Sequence, residues 1–404
     1  MPHSNKTKSI TRIAIAVLAS CTGIILTALP TQCQDTSPPP TAPAATPAPA
    51  ATPAPAATPT WSVGGIDFSG LIDGYFSGNF NNPASGLNQL QNFNFYSNQF
   101  GLGMAKITAA HAPDPVGFQL DLGFGKAFQV INSAEPSGSG LQYIEQAYVS
   151  LKPAKAKGFE ADFGQFVTSA GAEVIESMNN YNYSHSLLFA YAIPYYHFGL
   201  RTSMPLSKSF TAGVQVVNGW NDTVDNNTGK TLGFTGAFTK PKFTLYTNYY
   251  VGPENPGTNV GWRNLIDANL VLTPTPKLSA YINYDYGQNR NAVEDESGNF
   301  TTGSLARWQG IAVAAHYQMT AKSSISPRFE YYIDPQGFNT GTAQTLNEFT
   351  ITYEYKMLEG VLARVEFRND HSDVPFFDKN NNPASTQNQP IVNIGVIAFF
   401  GPKR

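Results

Sequence analysis

From Ile66 to Phe400, polar and apolar residues interleave at a spacing of two in a succession of short runs. In one run Val116, Phe118, Leu120, Leu122 and Phe124 alternate with Gly117, Gln119, Asp121, Gly123 and Gly125, which predicts a strand with one oily and one wet face. Arg364, Glu366 and Arg368 interleave with Ala363, Val365 and Phe367 in the same way, and Glu348, Thr350, Thr352 and Glu354 with Phe349, Ile351, Tyr353 and Tyr355. Two runs, 91–110 and 304–317, keep no single parity, so each is expected to contain a β-bulge or a shifted boundary.

The gaps between runs alternate in length. Short ones rich in Pro, Lys and Gly fall at 112–115, 152–158, 205–208, 240–242, 273–277, 320–322 and 357–360. Long ones fall between them, at 81–92, 127–140, 169–194, 221–230, 252–261, 289–302, 334–345 and 372–389. Seven short turns and eight long loops in strict alternation predict about sixteen strands. An even number lets the last strand close on the first, as a single-chain barrel requires. The fold class expected is all-β: a single transmembrane antiparallel β-barrel of about sixteen strands, with the third long loop folded inward.

Composition agrees with a membrane barrel. Charged residues are only 13 % of the chain and aromatic residues are also 13 %, whereas a soluble domain carries roughly twice that charge. Aromatic residues collect near strand ends, at Trp220, Trp262, Trp308, Tyr284, Tyr286, Tyr331, Phe399 and Phe400, where rings with a polar edge suit the lipid headgroup level. Ordinary sheet preference for aromatics explains the same residues equally well. The net charge of -3 gives no support to a nucleic-acid partner.

The N-terminus has the layout of an export signal, with Lys6, Lys8 and Arg12 ahead of an apolar stretch from 13 to 29. Residues 1–33 are expected to be a signal peptide. Residues 34–60, almost wholly Pro, Ala and Thr, are expected to form an extended tether that can reach the cell wall, and 61–404 the transmembrane β-barrel domain. Both cysteines, Cys21 and Cys33, fall in or beside the signal, so the barrel is expected to have no disulfide.

Segment 169–194 is the longest stretch without two-residue alternation between two strand-like runs, and it carries Tyr181, Tyr183, Leu187, Leu188, Phe189 and Tyr191. Loops of that length are commonly functional. This one either folds inward and narrows the barrel, or packs on its own side chains at the surface.

At this segment and its flanks the chain resembles a known family. Gly164-Gln165-Phe166, Gly171-Ala172-Glu173, Ser177, Asn179, Tyr183-Ser184-His185-Ser186, Phe189, Pro194 and His197-Phe198-Gly199-Leu200-Arg201, preceded by Glu145-Gln146-Ala147-Tyr148-Val149, resemble the OmpL-like β-barrel porins of the outer membrane. The resemblance covers about 66 to 400 and omits the tether. It implies a passive diffusion channel of a Gram-negative-type outer membrane, and it lends no ligand. The segment is also similar in position to the third external loop of general sixteen-stranded porins, which forms a constriction. The ending Gly401-Pro402-Lys403-Arg404 departs from the terminal aromatic usual in porins.

If the segment lies inside, Glu173 and Glu176 belong to the constriction together with Arg201, and the lining includes Arg263, Asp267, Arg328, Glu330, Arg364, Glu366 and Arg368. Carboxylates opposite guanidinium groups would set up a transverse field that orients dipolar solutes. Alternatively the arginines pair with Asp267, Glu330, Glu348 and Glu366 on neighbouring strands and stiffen the wall. Inward Tyr148, Tyr246, Tyr250 and Tyr281 keep a carbohydrate-selective uptake channel as a lesser reading.

No catalytic, metal or cofactor site is expected. The six histidines are scattered, and no hydrolase, zinc or phosphate motif is present. Expected partners are outer-membrane lipid and lipopolysaccharide, small polar solutes and two further copies in a homotrimer. The competing function is a structural anchor or adhesin barrel.

Overall fold

The computed structural model describes residues 61–292 and 303–401. The chain divides into two units, 1–56 and 57–404, and everything described belongs to the second. The expected signal peptide, Cys21, Cys33, the Pro/Ala tether, most of the loop beginning at 289 and the final three residues lie outside the described residues.

Sixteen strands form the wall: β1 Ile66–Asn79, β2 Gln99–His111, β3 Val116–Phe124, β4 Ile144–Leu151, β5 Glu160–Val167, β6 Tyr196–Pro205, β7 Phe210–Val217 and β8 Thr231–Lys240, then β9 Phe243–Pro253, β10 Trp262–Thr275, β11 Leu278–Arg290, β12 Leu305–Gln318, β13 Ser323–Asp334, β14 Gln344–Leu358, β15 Val361–Ser372 and β16 Asn388–Phe400. Each pairs antiparallel with its neighbours in sequence, and β16 pairs with β1 through partners such as Ile394 with Phe76 and Ile397 with Asp73. The cylinder is therefore closed and has no free edge. Ser62–Val63 adds a short strand beside β1, and Phe377–Lys379 pairs with Asn382–Thr386 in a separate ribbon.

Because the pairing is antiparallel and sequential, the short turns all lie at one end and the long loops at the other. The alternation is visible in accessibility. On β15 Arg364, Glu366, Arg368 and Asp370 are buried, while Val365 is 50 % exposed and Phe367 is 38 % exposed. The outward face carries Ile72, Ile107, Leu122, Phe163, Phe234, Ile266, Phe349 and Val396, all exposed, as hydrocarbon contact requires.

The two irregular runs resolve differently. In the first the strand starts only at Gln99, and the register of β1 against β2 shifts between Asp73 and Gly74, so both a shifted boundary and a bulge are present. The second needs neither. β12 keeps one parity throughout, with Ala306, Trp308, Gly310, Ala312 and Ala314 inward, and its register with β11 is unbroken. Its inner face is small and aromatic instead of polar, which hid the alternation.

The aromatic residues split as well. Trp262 is exposed on the outer face, and Phe400 packs on Trp61 with ring centroids 5.1 Å apart. Trp308, by contrast, is 1 % exposed and sits inside the barrel.

Candidate functional site

The stretch from Thr168 to Tyr195 joins β5 to β6 and is tied off at its base, where Thr168 N donates to Tyr195 O at 2.9 Å. Gly171, at φ 90, makes the first bend in a conformation that favours glycine, and a Cβ there would lie 2.5 Å from Ile193 Cδ1. Asn180 staples the middle, accepting from Val174 N at 2.9 Å and donating to Val174 O at 2.7 Å. A short helix, α1, spans Leu187–Tyr191; Ser186 caps it, its hydroxyl accepting from Phe189 N at 3.0 Å.

What this stretch touches is the inward face of the wall, and the contact has two characters. Along β13 and β15 charged side chains grip its main chain. Glu330 accepts from Leu187 N and Leu188 N at 2.9 and 3.2 Å, which satisfies N–H groups that a helix leaves free at its start. Glu366 accepts from Tyr183 N at 2.6 Å and Ser184 N at 3.1 Å. Arg364 donates to the carbonyl oxygens of Ser177, Met178, Asn180 and Asn182. Arg368 donates to His185 O at 2.5 Å and Arg328 to Ser184 O at 2.7 Å. On β10, Asp267 accepts from Gly171 N at 3.0 Å.

Along β12 the contact is apolar instead. Leu187, Leu188, Phe189, Ala192 and Ile193 are buried in one cluster with Trp308, Ala312 and Ala314, and the cluster extends to Met104 on β2 and to Phe93 and Phe128 in the first two long loops. Trp308 contributes one polar bond, Nε1 donating to Ala192 O at 3.0 Å.

The charges form buried networks. Arg328 lies 2.7 Å from Glu173, 3.4 Å from Glu330 and 3.2 Å from Glu348. Arg368 pairs with Asp370 at 2.8 Å, and Arg364 with Glu354 at 2.7 Å. Burying such groups costs several kcal/mol per ion unless geometry and further hydrogen bonds offset it. Here the loop's main chain supplies those further bonds.

Of the residues singled out in the sequence, Glu173 meets Arg328, Tyr281 and Ser186 N. It does not meet Arg201, which pairs with Asp162 at 2.7 Å on the opposite stretch of wall, its guanidinium over the rings of Phe166 and Tyr148 at 4.5 and 5.0 Å. Glu176 pairs with Lys106, which also reaches Glu145 at 3.2 Å. Arg263 stands apart as well, against Trp220 at 4.8 Å and Phe338 at 5.6 Å. Tyr250 and Tyr281 are buried, Tyr148 is half-buried and Tyr246 is exposed.

Three participants were missed. Lys106 is one. Asp73 accepts from Ser177 Oγ at 2.5 Å and Tyr183 Oη at 2.8 Å, and Trp308 is the third. Asp73 sits on an inward position of β1 that parity alone reveals, and Lys106 on one of β2 that parity reveals once the bulge at Gly103 is placed.

The foot of the stretch rests on the fourth long loop, where Asn221 Oδ1 accepts from Tyr195 N at 2.6 Å. Beside it, burial pushes the Asp222 carboxyl up to about 7, with Glu254, Glu135 and Asp225 adding to the shift and Arg263 opposing it.

The chemistry of hydrolysis finds no arrangement at His185. Its Nε2 is 2.8 Å from Val174 O, Ser184 Oγ takes a bond from Arg368, and Ser186 Oγ caps the helix.

A family model described as beta-barrel porin-2, OmpL-like, matches residues 65–400. No curated protein matches the chain. Among solved structures, the anion-selective porin from Comamonas acidovorans superposes with a TM-score of 0.55 at 10 % identity, covering 83 % of this chain and 99 % of that one. The outer membrane channel DcaP of Acinetobacter baumannii gives 0.53 at 12 % identity, with 83 % and 97 % covered. The trimer form of OmpT, an outer membrane protein of Vibrio cholerae, gives 0.54 at 12 % identity, with 83 % and 99 % covered. At such identities the likeness is one of fold.

Proposed function

This chain belongs to the OmpL-like beta-barrel porin-2 family of the outer membrane, and on that premise we propose that it passes small polar solutes by diffusion through a bore set by segment 169–194. The observation that carries this reading is the number of wall carboxylates and guanidinium groups, from Asp267 to Arg368, committed to holding that segment's main chain. A loop resting at the surface would have no such partners.

In this reading Glu173, Asp267, Arg328, Glu330, Arg364, Glu366 and Arg368 fix the segment in place. The charges left for a solute to meet are Arg201, whose side chain is 24 % exposed, and Glu176, at 17 %. Arg201 stands beside Tyr148 on the wall and Glu176 on the segment, and in this reading the transverse field belongs to them. Assembly as a homotrimer is supported by the trimer form of the Vibrio cholerae protein of like fold. The export signal at 1–33 and the tether at 34–60 complete the proposal, with lipopolysaccharide around the barrel and wall contact through the tether.

The test is conductance in a planar bilayer. Purified barrel should give stepwise increments, and deletion of residues 171–188 should raise them several-fold, since the wall's own ladder stays closed without the segment. Unchanged increments would remove the segment from the bore. A folded barrel that never conducts, with or without the segment, would favour the anchor or adhesin.

A further inference from the structure

We infer that the short-turn mouth of the barrel is a binding vestibule for small multivalent anions, such as phosphates and polycarboxylates, and that it favours anions among the solutes that pass. The solute preference rests on the porin reading, while the vestibule stands without it.

Short turns face the periplasm in barrels of this kind. Six of the seven carry exposed lysine within them or at the strand end beside them: three at 152–158, two at 240–242, and Lys208, Lys277, Lys322 and Lys356 at the other four. The carboxyl groups that meet solvent at this end are fewer, Asp67, Asp114, Glu160, Glu354 and Glu359. Two of these are already taken, Glu160 by Lys152 at 2.8 Å and Glu354 by Arg364 at 2.7 Å. At the long-loop end the signs mingle instead, with Lys230 paired to Asp225 and Lys379 next to Asp378 in sequence.

The pleat of the strands decides where the lysines point. Main-chain bonds of 2.8 Å from Thr273 N to Lys242 O, from Gln318 N to Lys277 O and from Lys356 N to Lys322 O carry the ladder out to the turns. Alternation then puts Lys242 on the face of Asn248, Lys277 on that of Tyr281, Lys322 on that of Ser326 and Lys356 on that of Thr352, and those four partners are buried on the inner wall. Lys240 has the other parity and lies over Phe238 at 5.1 Å on the outer face. Four lysines thus rim the lumen from β9 to β14. None of them has an ion-pair partner among the described residues, where paired lysines are Lys106, Lys152 and Lys230.

Lysine is a compact charge on a flexible stem, so this rim selects by charge and not by shape. A wet mouth with low-dielectric walls focuses a field of one sign, and rings of lysine or arginine are a means of passing anions. Arg201, its side chain 24 % exposed, adds the same sign from β6. Asp267 and Glu330, deeper in, are fully buried and accept from the segment's main chain.

Tripolyphosphate is the probe. In calorimetry on the detergent-solubilised barrel it should bind at about 20 mM salt and at least tenfold more weakly at about 300 mM, where screening shortens the reach of the rim. Lys242→Gln, Lys277→Gln, Lys322→Gln and Lys356→Gln together should also weaken it at least tenfold, whereas Lys230→Gln, Arg290→Gln, Arg307→Gln and Lys379→Gln at the long-loop end should leave it within about twofold. Citrate should follow the same pattern at lower affinity. In bilayers, reversal potentials should favour anions, and more strongly with the dilute solution on one side than on the other, because the rim is least screened there. The short-turn variant should lose that dependence on direction. Binding that survives the four short-turn changes, or falls equally with the long-loop ones, overturns the vestibule. Reversal potentials that are the same in both gradient directions, or favour cations in both, overturn the anion preference. Binding as expected in a barrel that never conducts upholds the vestibule and sinks the porin reading.

Discussion

The inner faces of β12 and of β13 to β15 meet the same segment in opposite ways. β12 offers Trp308, Gly310, Ala312 and Ala314 and receives side chains. β13 to β15 offer Arg328, Glu330, Arg364, Glu366 and Arg368 and receive carbonyl and amide groups. The first contact depends on which residues the segment carries; the second depends mainly on the path of its backbone, with Glu173 on Arg328 and Ser184 on Arg368 as its side-chain contacts. One wall thus reads shape, the other reads course, and together they fix a loop of irregular conformation in one place.

That contrast can be broken most severely on the charged side. Arg328→Ala leaves Glu173, Glu330 and Glu348 buried without their shared cation, and the loss expected is about 3–5 kcal/mol. Urea unfolding in detergent, followed by tryptophan fluorescence, measures it; a change within about 0.5 kcal/mol, the range of an ordinary surface substitution, would mean that the segment does not seal this network. On the apolar side, Gly310→Ala brings a Cβ to 2.5 Å from Leu188 Cδ2 and 2.9 Å from Tyr331 O, and overpacking of this kind costs about 1–3 kcal/mol. Combining it with Leu188→Ala should recover part of that loss, and strict additivity would show that the two residues do not press on each other. The smallest effect belongs to the segment alone: Ser186→Ala removes the helix cap and should cost about 1 kcal/mol, seen as faster proteolysis or exchange at 187–191 with the barrel transition unmoved.

The same contrast decides what could be read from the sequence. The turn and loop alternation exposed all sixteen strands, because lipid outside and polarity inside impose it on most of them. Arg364, Glu366 and Arg368 were legible as inward residues for that reason. β12 was not, since its partner across the lumen is Leu188 and its neighbours instead of water, and a rule that expects polarity inside cannot see a strand that packs on an apolar loop. Pairings were less legible than directions. Glu173 and Arg201 are both inward or within the segment, yet only the register across seven intervening connections and the path of the segment decide that Glu173 meets Arg328 instead. Lys106 was hidden by the bulge on β2, which reverses parity where it falls, whereas Asp73 lies on a strand of unbroken parity, inward with Leu71, Tyr75 and Ser77.

The order of residues along the chain adds a last consequence. Segment 169–194 precedes most of the wall that receives it: Glu173 waits for Arg328, 155 positions later, and Ser177 for Arg364, 187 positions later. Docking so far ahead in sequence is slow to find, because the loop closed by each such contact is long. While the last strands thread into the bilayer, Leu187, Leu188 and Phe189 have nowhere to go, and the half-built sheet is open on one side. Biogenesis of this barrel thus contains an interval in which an oily peptide must be shielded by an escort protein or by the nascent sheet itself, and it is there that the chain is most prone to aggregate.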